Sequence, residues 1–303
     1  MSASSINRQT EHINNDLLDL DLRDNASILN TLADSQTCGV NAARDAVPFL
    51  NAAVTAAADR LCPADGRLVM IGAGASGRLA VQDGAELWPT YGWPASRLIL
   101  SIAGGERALL HSVEGGEDNA DNARLEVESH RIGENDVVLG LAASGSSAWT
   151  VAWIKHARNA GALTIGMANN ADTPLLTACE CPVHLNSGAE VLAGSTRMAA
   201  GTAQKVALNM FSTLLMIRLN RTYGNLMVDM AAINEKLDDR RLRMLKTLVP
   251  NLDAATATNA LHQAKGWVKL AALICMGASH TQGLQLLEDC EGSLRLAMHK
   301  LGI

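Results

Sequence analysis

Two short runs of this chain repeat one plan. Residues 67–80 read RLVMIGAGASGRLA and residues 137–150 read VVLGLAASGSSAWT. Each is an apolar run, then Ala-Ser-Gly, then the start of a helical pattern. Amides exposed at the first turn of a helix bind anions, helped by the positive end of the helix dipole. Ser76, Gly77 and Arg78 of the first turn, and Ser144, Gly145, Ser146 and Ser147 of the second, therefore suit one phosphate monoester. A third polar cluster, NSGAEVLAGSTRMAAGTAQK (186–205), places Ser195, Thr196 and Arg197 just before a long apolar helix. Ser195 and Thr196 read equally well as an N-cap.

The first turn also spells G-x-G-x-x-G over Gly72–Gly77, the dinucleotide fingerprint. A dinucleotide needs a carboxylate at the end of the next strand to hold its ribose. Here that strand ends Ile102-Ala103-Gly104-Gly105 and carries none. No Walker lysine follows either turn, which argues against a nucleoside triphosphate. Two tight strand-to-helix turns without a ligand are the other reading of the same spacing.

Carboxylates able to move protons stand nearby in sequence. Glu86 lies on the helix of the first turn, and Glu114, Glu117 and Asp118 lie in the glycine-interrupted turn SVEGGEDNAD. Two carboxylates from different elements can serve a sugar as acid and base, or can be solvated surface charges. Glu86 is nine residues beyond Gly77, which places it about 13 Å along a helix from the first turn. A phosphate on the Ser144 turn, or a site shared with a second subunit, relieves that distance.

Five apolar runs supply the framework: RLVMIG, SRLILSIAGG (96–105), DVVLGLAASG (136–145), ALTIGMANN (162–170) and CPVHLNSG (181–188). Helix-like stretches fall between them at 77–88, 106–113, 119–129 and 148–160. Strand alternating with helix predicts right-handed crossovers and an α/β fold: a doubly wound, mainly parallel five-stranded sheet. Two helices precede it between Ala26 and Leu61, followed by a turn at Pro63–Gly66. Helical patterns at 196–220 and 224–248 come after it, and 254–303 reads as three short helices split at glycines. The expected organisation is an N-terminal helical segment (1–60), a ligand-binding domain (61–225), and a C-terminal helical region (226–303) with a small three-helix domain from about 252.

Composition narrows the partners. With a net charge of -6 and 3% aromatic residues, the chain offers neither a basic field nor stacking surfaces for nucleic acid. No apolar stretch reaches the ~18 residues of a membrane span. The six cysteines are scattered, with one C-x-C pair at Cys179 and Cys181, which fits reduced thiols in a cytoplasmic protein rather than a zinc site.

At these residues the chain resembles the sugar isomerase (SIS) domain proteins, and within them the N-acetylmuramic acid 6-phosphate etherases. The segments that carry the resemblance are GASGRLAVQDGAE (74–86), IAGGERAL with VEGGED (102–118), AASG (142–145), EVLAGSTR with GTAQK (190–205), and YGNLMVD with a following N-x-K-L (223–237). The resemblance implies cleavage of the D-lactyl ether at C3 of N-acetylmuramate 6-phosphate. The products are N-acetylglucosamine 6-phosphate and D-lactate. It implies Glu86 as the acid, Glu117 as the base that removes the C2 proton, and Glu190 and Lys205 among the substrate-binding residues. No metal or organic cofactor is implied, and the working form is a homodimer with sites near its interface. A phosphosugar-sensing regulatory protein and an aldose–ketose isomerase share the same framework and remain alternatives. Three basic residues of the family pattern are replaced, at Ile13, Ser146 and Ala200.

Overall fold

The structure, a computed structural model, describes residues 8–62, 65–231 and 235–302, with side chains throughout except at 235–237. Pro63 and Ala64 of the expected turn, and residues 1–7, lie outside that set. The chain divides into two compact units, one of Met1–Ala85 with Ser96–Ser212, the other of Glu86–Ala95 with Thr213–Ile303.

The first unit is built on a five-stranded, wholly parallel sheet in the order β2-β1-β3-β4-β5. The strands are β1 (Leu68–Gly72), β2 (Leu98–Ile102), β3 (Val137–Leu141), β4 (Leu163–Ala168) and β5 (Cys181–His184). All five expected strands are present. The three central strands are buried at every position, whereas β2 and β5 are partly exposed. Helices on both faces explain the contrast: a central strand has no wet side and reads as an unbroken apolar run. Pro182, which cannot donate a ladder hydrogen bond, sits on the edge strand β5, where such a residue is tolerated.

One face of the sheet carries α6 (Ala120–Ser129), α7 (Ala148–Asn159) and α8 (Pro174–Ala178). Trp149, Trp153 and Ile154 of α7 are fully buried there with Val69, Ile71 and Val138 of the strands. α3 (Gly74–Ala85) lies on the opposite face, where Gly84 leaves no room between itself and the side chains of Met70 and Leu100. Alternation along β1 sends Val69 and Ile71 to one helix layer and Met70 to the other. α1 (Asn25–Asp45) and α2 (Val47–Leu61) belong to this same unit, with α2 lying against β3, β4 and β5. The stretch expected as a helix over 106–113 is one short turn, α5 (Arg107–Leu110).

The second unit holds α4 (Leu87–Tyr91), the end of α9 (Ala199–Arg218), α10 (Glu235–Leu248), and α11 (Ala254–Gln263), α12 (Val268–Cys275), α13 (His280–Asp289) and α14 (Leu294–Lys300). Four short helices, not three, follow residue 252. Gly266, Gly277 and Gly292 stand between them at φ of +79°, +100° and +76°, a backbone region costly for side chains with a Cβ. Of the stretch expected as a helix over 224–248, Glu235–Leu248 is helical and the described residues 224–231 are not. Before α10 the chain turns at Tyr223–Leu226 and buries Asp229, which accepts from Trp267 Nε1 at 2.8 Å and pairs with Lys269 at 2.6 Å. Lys269 is itself 1% exposed, and burial draws its pKa down while Asp229 holds it charged. Removing either partner would strand the other as a buried charge.

Candidate active site

Strand register brings the candidate turns to one level. Gly72 of β1 is level with Ile102 of β2 on one side and Leu141 of β3 on the other, and Leu141 is level with Met167 of β4. From β1 the chain first crosses to β2 and then returns past it to β3, so the winding reverses between β1 and β3. That reversal opens a crevice at the carboxyl ends of the strands, the usual ligand position in open α/β sheets. The two serine-bearing turns leave β1 and β3 on either side of it.

The first turn is shaped by close packing. α3 starts at Gly74, with φ at +55°, and places Ser76, 5% exposed, in its first turn. A Cβ on Gly77 would stand 2.6 Å from Gly72 O and 2.6 Å from Ile102 Cγ1. Only glycine allows the helix to begin so close to the strand ends. The Arg78 guanidinium is occupied elsewhere. Its Nε donates to Ala108 O (3.0 Å) and Leu109 O (3.1 Å), and its Nη2 to His111 O (3.1 Å). Arg78 thus ties down the segment that leads from β2 toward Glu117.

The second turn is tighter. Gly145, at φ +66°, would drive a Cβ to 2.3 Å from Thr173 Oγ1, so its conformation and its packing both demand glycine. Ser146 N donates to Ser144 Oγ and Ser146 Oγ to Ser144 O, each at 3.2 Å. Ser147 caps α7: its Oγ accepts from Thr150 N at 3.4 Å and from Thr150 Oγ1 at 3.1 Å. The same hydroxyl donates to the carbonyl of Glu117 at 3.3 Å.

That last bond joins two elements that are 30 residues apart. Glu117 sits in a 3-10 turn, Gly116–Asp118, behind Gly115 at φ +71°. Gly116 packs on the backbone of Gly104, where a Cβ would meet Gly104 N at 3.1 Å. The pair of glycines lets this turn nest against the end of β2 while Ser147 fastens it to the β3 turn. Glu117 keeps its carboxylate exposed. Glu86 belongs to the second unit, exposed and directly before α4.

The third cluster is organised by a residue other than the expected caps. Glu190, 1% exposed, accepts from Ala199 N at 3.0 Å and Ala200 N at 2.9 Å. Its carboxylate therefore satisfies the first amides of α9, the place an external anion would otherwise take. Ser195 and Thr196 are half-buried in the turn before α9 and Arg197 is exposed beside Met198. Lys205 is exposed on α9 and donates to Asn209 Oδ1, while Asn209 Nδ2 donates to Asp83 Oδ1 of α3 at 2.5 Å. Aligned on Ser195-Thr196-Arg197, the lysine of the S-T-R-x-K pattern falls at Ala199 rather than Ala200, and both are fully buried.

Residues that sequence reasoning passed over knit these turns together. Asn170 Nδ2 donates to Ala143 O at 3.0 Å and to Thr10 Oγ1 at 3.1 Å, and Thr10 N donates back to Asn170 Oδ1 at 3.2 Å. Gly194 N donates to Thr10 O at 2.9 Å. Asn169 bonds Leu185 O, Ser187 Oγ and Ala200 O through Nδ2, and its Oδ1 accepts from Gln204 Nε2 at 3.0 Å. The pair after β4 is the hinge pin of the crevice wall. Its one visible signal is two consecutive asparagines closing an apolar run. Among the described residues, no three of His, Cys, Asp and Glu cluster as a metal site requires, and no helix is long and apolar enough to cross a membrane.

A doubly wound sheet with helix-opening serine turns on both sides of its switch point is the arrangement of a SIS domain. The SIS domain model matches residues 121–220, and the model of the glucokinase regulatory protein N-terminal SIS domain matches residues 51–158. Three relatives carry one name. The N-acetylmuramic acid 6-phosphate etherase of Deinococcus radiodurans is 45% identical over 95% of this chain and 94% of its own. Those of Cutibacterium acnes and Streptomyces avermitilis are 39% and 42% identical, over 92% and 83% of this chain and 92% and 81% of theirs. The chain belongs to the N-acetylmuramic acid 6-phosphate etherase family.

Proposed function

We propose that this chain is a carbon–oxygen lyase that removes the D-lactyl group of N-acetylmuramate 6-phosphate. The phosphate rests on the hydroxyls of Ser76 and Ser144, in turns that Gly77, Gly145 and Ser146 shape, with Ser195, Thr196, Arg197 and Lys205 around the sugar. Arg78, Glu190 and Ser147 hold those elements in place. The ring-opened sugar is an aldehyde, so its C2 proton is acidic. Glu117 takes that proton, the electron pair forms the C2–C3 double bond, and the C3–O bond breaks. Glu86 gives its proton to the departing lactyl oxygen. Water then adds across the double bond, and the balance is substrate plus water to N-acetylglucosamine 6-phosphate plus D-lactate. General acid and base terms of this kind contribute about 10²–10⁴-fold each.

The observation that supports the assignment of Glu117 is the 3.3 Å hydrogen bond from Ser147 Oγ to its backbone carbonyl, which fastens the turn that carries Glu117 to the β3 turn. Family membership supports the substrate. We further propose a homodimer in which the two glutamates of one site come from different subunits. Its cellular setting is the reducing cytoplasm, in keeping with six free cysteines.

Incubation with N-acetylmuramate 6-phosphate tests the proposal. Stoichiometric D-lactate and N-acetylglucosamine 6-phosphate are expected. Binding of the sugar phosphate by folded protein without lactate release would favour a sensor, and a ketose 6-phosphate would favour an isomerase. For the shared site, mixing the inactive Glu86→Gln and Glu117→Gln chains restores activity through hybrid dimers. No recovery after subunit exchange would place both glutamates on one chain.

A further inference from the structure

The second unit contains a cavity of about 400 Å³ that no step of the etherase reaction described above uses. Its walls include Trp88, Arg221, Asp229, Arg241, Lys265 and Trp267. The volume lies in the range of small-molecule sites, about 300–1,000 Å³.

The charge of these walls is unbalanced. Among the described residues of these walls, Arg221, Arg241 and Lys265 face a single carboxylate, and Asp229 is already engaged by Trp267 Nε1 at 2.8 Å and by Lys269 at 2.6 Å. Arg221 lies 3.7 Å from Asp229 and stacks over the ring of Trp93 at 5.6 Å, so it is held rather than free to swing out. Arg241 has weak partners. Nη2 donates to Met230 O at 3.4 Å, and Nη1 is 3.5 Å from an Asp238 carboxylate that is 67% exposed. A pair so exposed is screened by water and holds little energy. Arg241 Nε is buried and has no hydrogen-bond partner among the described residues. Burial also draws the Arg241 pKa down, the mark of a cation short of counter-charge. A buried donor left unmet is costly, and the cost disappears when an acceptor arrives.

The indoles define the rest of the ligand. Trp88 is 49% exposed and Trp267 half-buried. Together they give an apolar wall beside a planar guanidinium fork, which prefers the paired oxygens of a carboxylate or phosphate.

We infer that this cavity is a binding site for a small organic oxyanion, with the carboxylate or phosphate on Arg241, Arg221 and Lys265 and the body of the molecule against Trp88 and Trp267. The site does not rest on the etherase reading. Titrating Glu117→Gln protein, which by the mechanism above cannot turn over, keeps binding and catalysis separable.

Tryptophan fluorescence reads the site. Full-length protein is titrated with D-lactate, inorganic phosphate and N-acetylglucosamine 6-phosphate in separate arms, which distinguishes a carboxylate head from a phosphate one. A saturable change is expected in at least one arm, and Trp88→Phe removes most of its amplitude. Arg241→Met and Lys265→Glu each raise the apparent Kd by about tenfold or more, as loss of a charge-assisted contact does. Far-ultraviolet circular dichroism establishes that the variants are folded. Lys265 is exposed, so Lys265→Glu decides the matter alone if Arg241→Met does not fold. No saturable change with any of the three probes, or the same Kd in wild type and the folded variants, overturns the inference.

Discussion

Replacing Glu190 by Gln separates two roles for one buried carboxylate. As a substrate ligand, Glu190 would govern affinity; as the cap of α9, it governs stability. Its two oxygens accept from Ala199 N at 3.0 Å and Ala200 N at 2.9 Å. Glutamine keeps one acceptor and turns an NH₂ group toward the other amide, so one charge-assisted bond worth about 1.5–3 kcal/mol is lost. The neutral side chain also gives up its interaction with the helix dipole, up to about 2 kcal/mol in a buried setting. The sum is about 2–5 kcal/mol. At about 2–4 °C per kcal/mol for chains of 150–250 residues, Tm falls by about 4–20 °C. Calorimetric scans of wild type and Glu190→Gln, paired with initial rates of lactate release at 20 °C, measure both roles at once. The expected result is a large drop in Tm with KM within about threefold of wild type. An unchanged Tm together with a KM raised about tenfold would refute the capping argument and restore Glu190 to the substrate.

Four further outcomes follow from the same geometry. Glu117→Gln abolishes exchange of the C2 proton with deuterated water, whereas Glu86→Gln preserves exchange and blocks lactate loss; equal loss in both variants contradicts the role assignment. Ser147→Ala removes the cap of α7 and the tether to Glu117, so it lowers stability by about 1 kcal/mol and kcat by about tenfold, and a loss of stability with unchanged kcat would show the tether to be idle. Burial pushes the Cys179 thiol up to about 11, so the unfolded chain releases that proton first and stability falls between about pH 9 and 11; Cys179→Ala should flatten that part of the urea-midpoint profile, and an unaltered slope would contradict it. Phosphate held in the crevice on the serine turns is screened less than phosphate on exposed cations, so KM changes less than about threefold between 50 and 500 mM NaCl; a steep rise would transfer the phosphate to exposed Arg197 and Lys205.

Much of this architecture was readable before any coordinates, and the reason is local. The five strands are apolar runs bounded by turn residues, and the central three are covered on both faces, so burial alone marks them. The third glycine of G-x-G-x-x-G was visible as a motif, and its cause is the 2.6 Å approach of Gly72 O to where a Cβ would stand on Gly77. What the sequence hid depends on partners far along the chain. Thr10 sits in a polar segment without periodicity, yet it is fully buried because Asn170, 160 residues away, meets both its amide and its hydroxyl. Residues 224–231 read as helix because their apolar spacing permits one. Asp229 in that stretch is instead paired with Lys269, 40 residues on, a partner the local pattern does not show.

The substituted basic positions gain a physical account from the same contacts. Where the family pattern has arginine, the Ser146 hydroxyl donates to Ser144 O and its amide is bound by Ser144 Oγ. The turn is thus stiffened from within by two short-range bonds. At Ala199 and Ala200 the amides are committed to Glu190, and both side chains are fully buried, so a lysine there would need a way out of the core. Ile13 is 68% exposed, two residues beyond Glu11, whose carboxylate lies 2.7 Å from where a Cβ would stand on Gly194. Each replacement removes a long, mobile cation and leaves the amides and hydroxyls of the turns in place. In the function we propose, phosphate recognition then falls to hydroxyls that these turns hold in place. Such groups lose little entropy on binding, and they favour a ligand whose charge stands at a fixed point in the crevice.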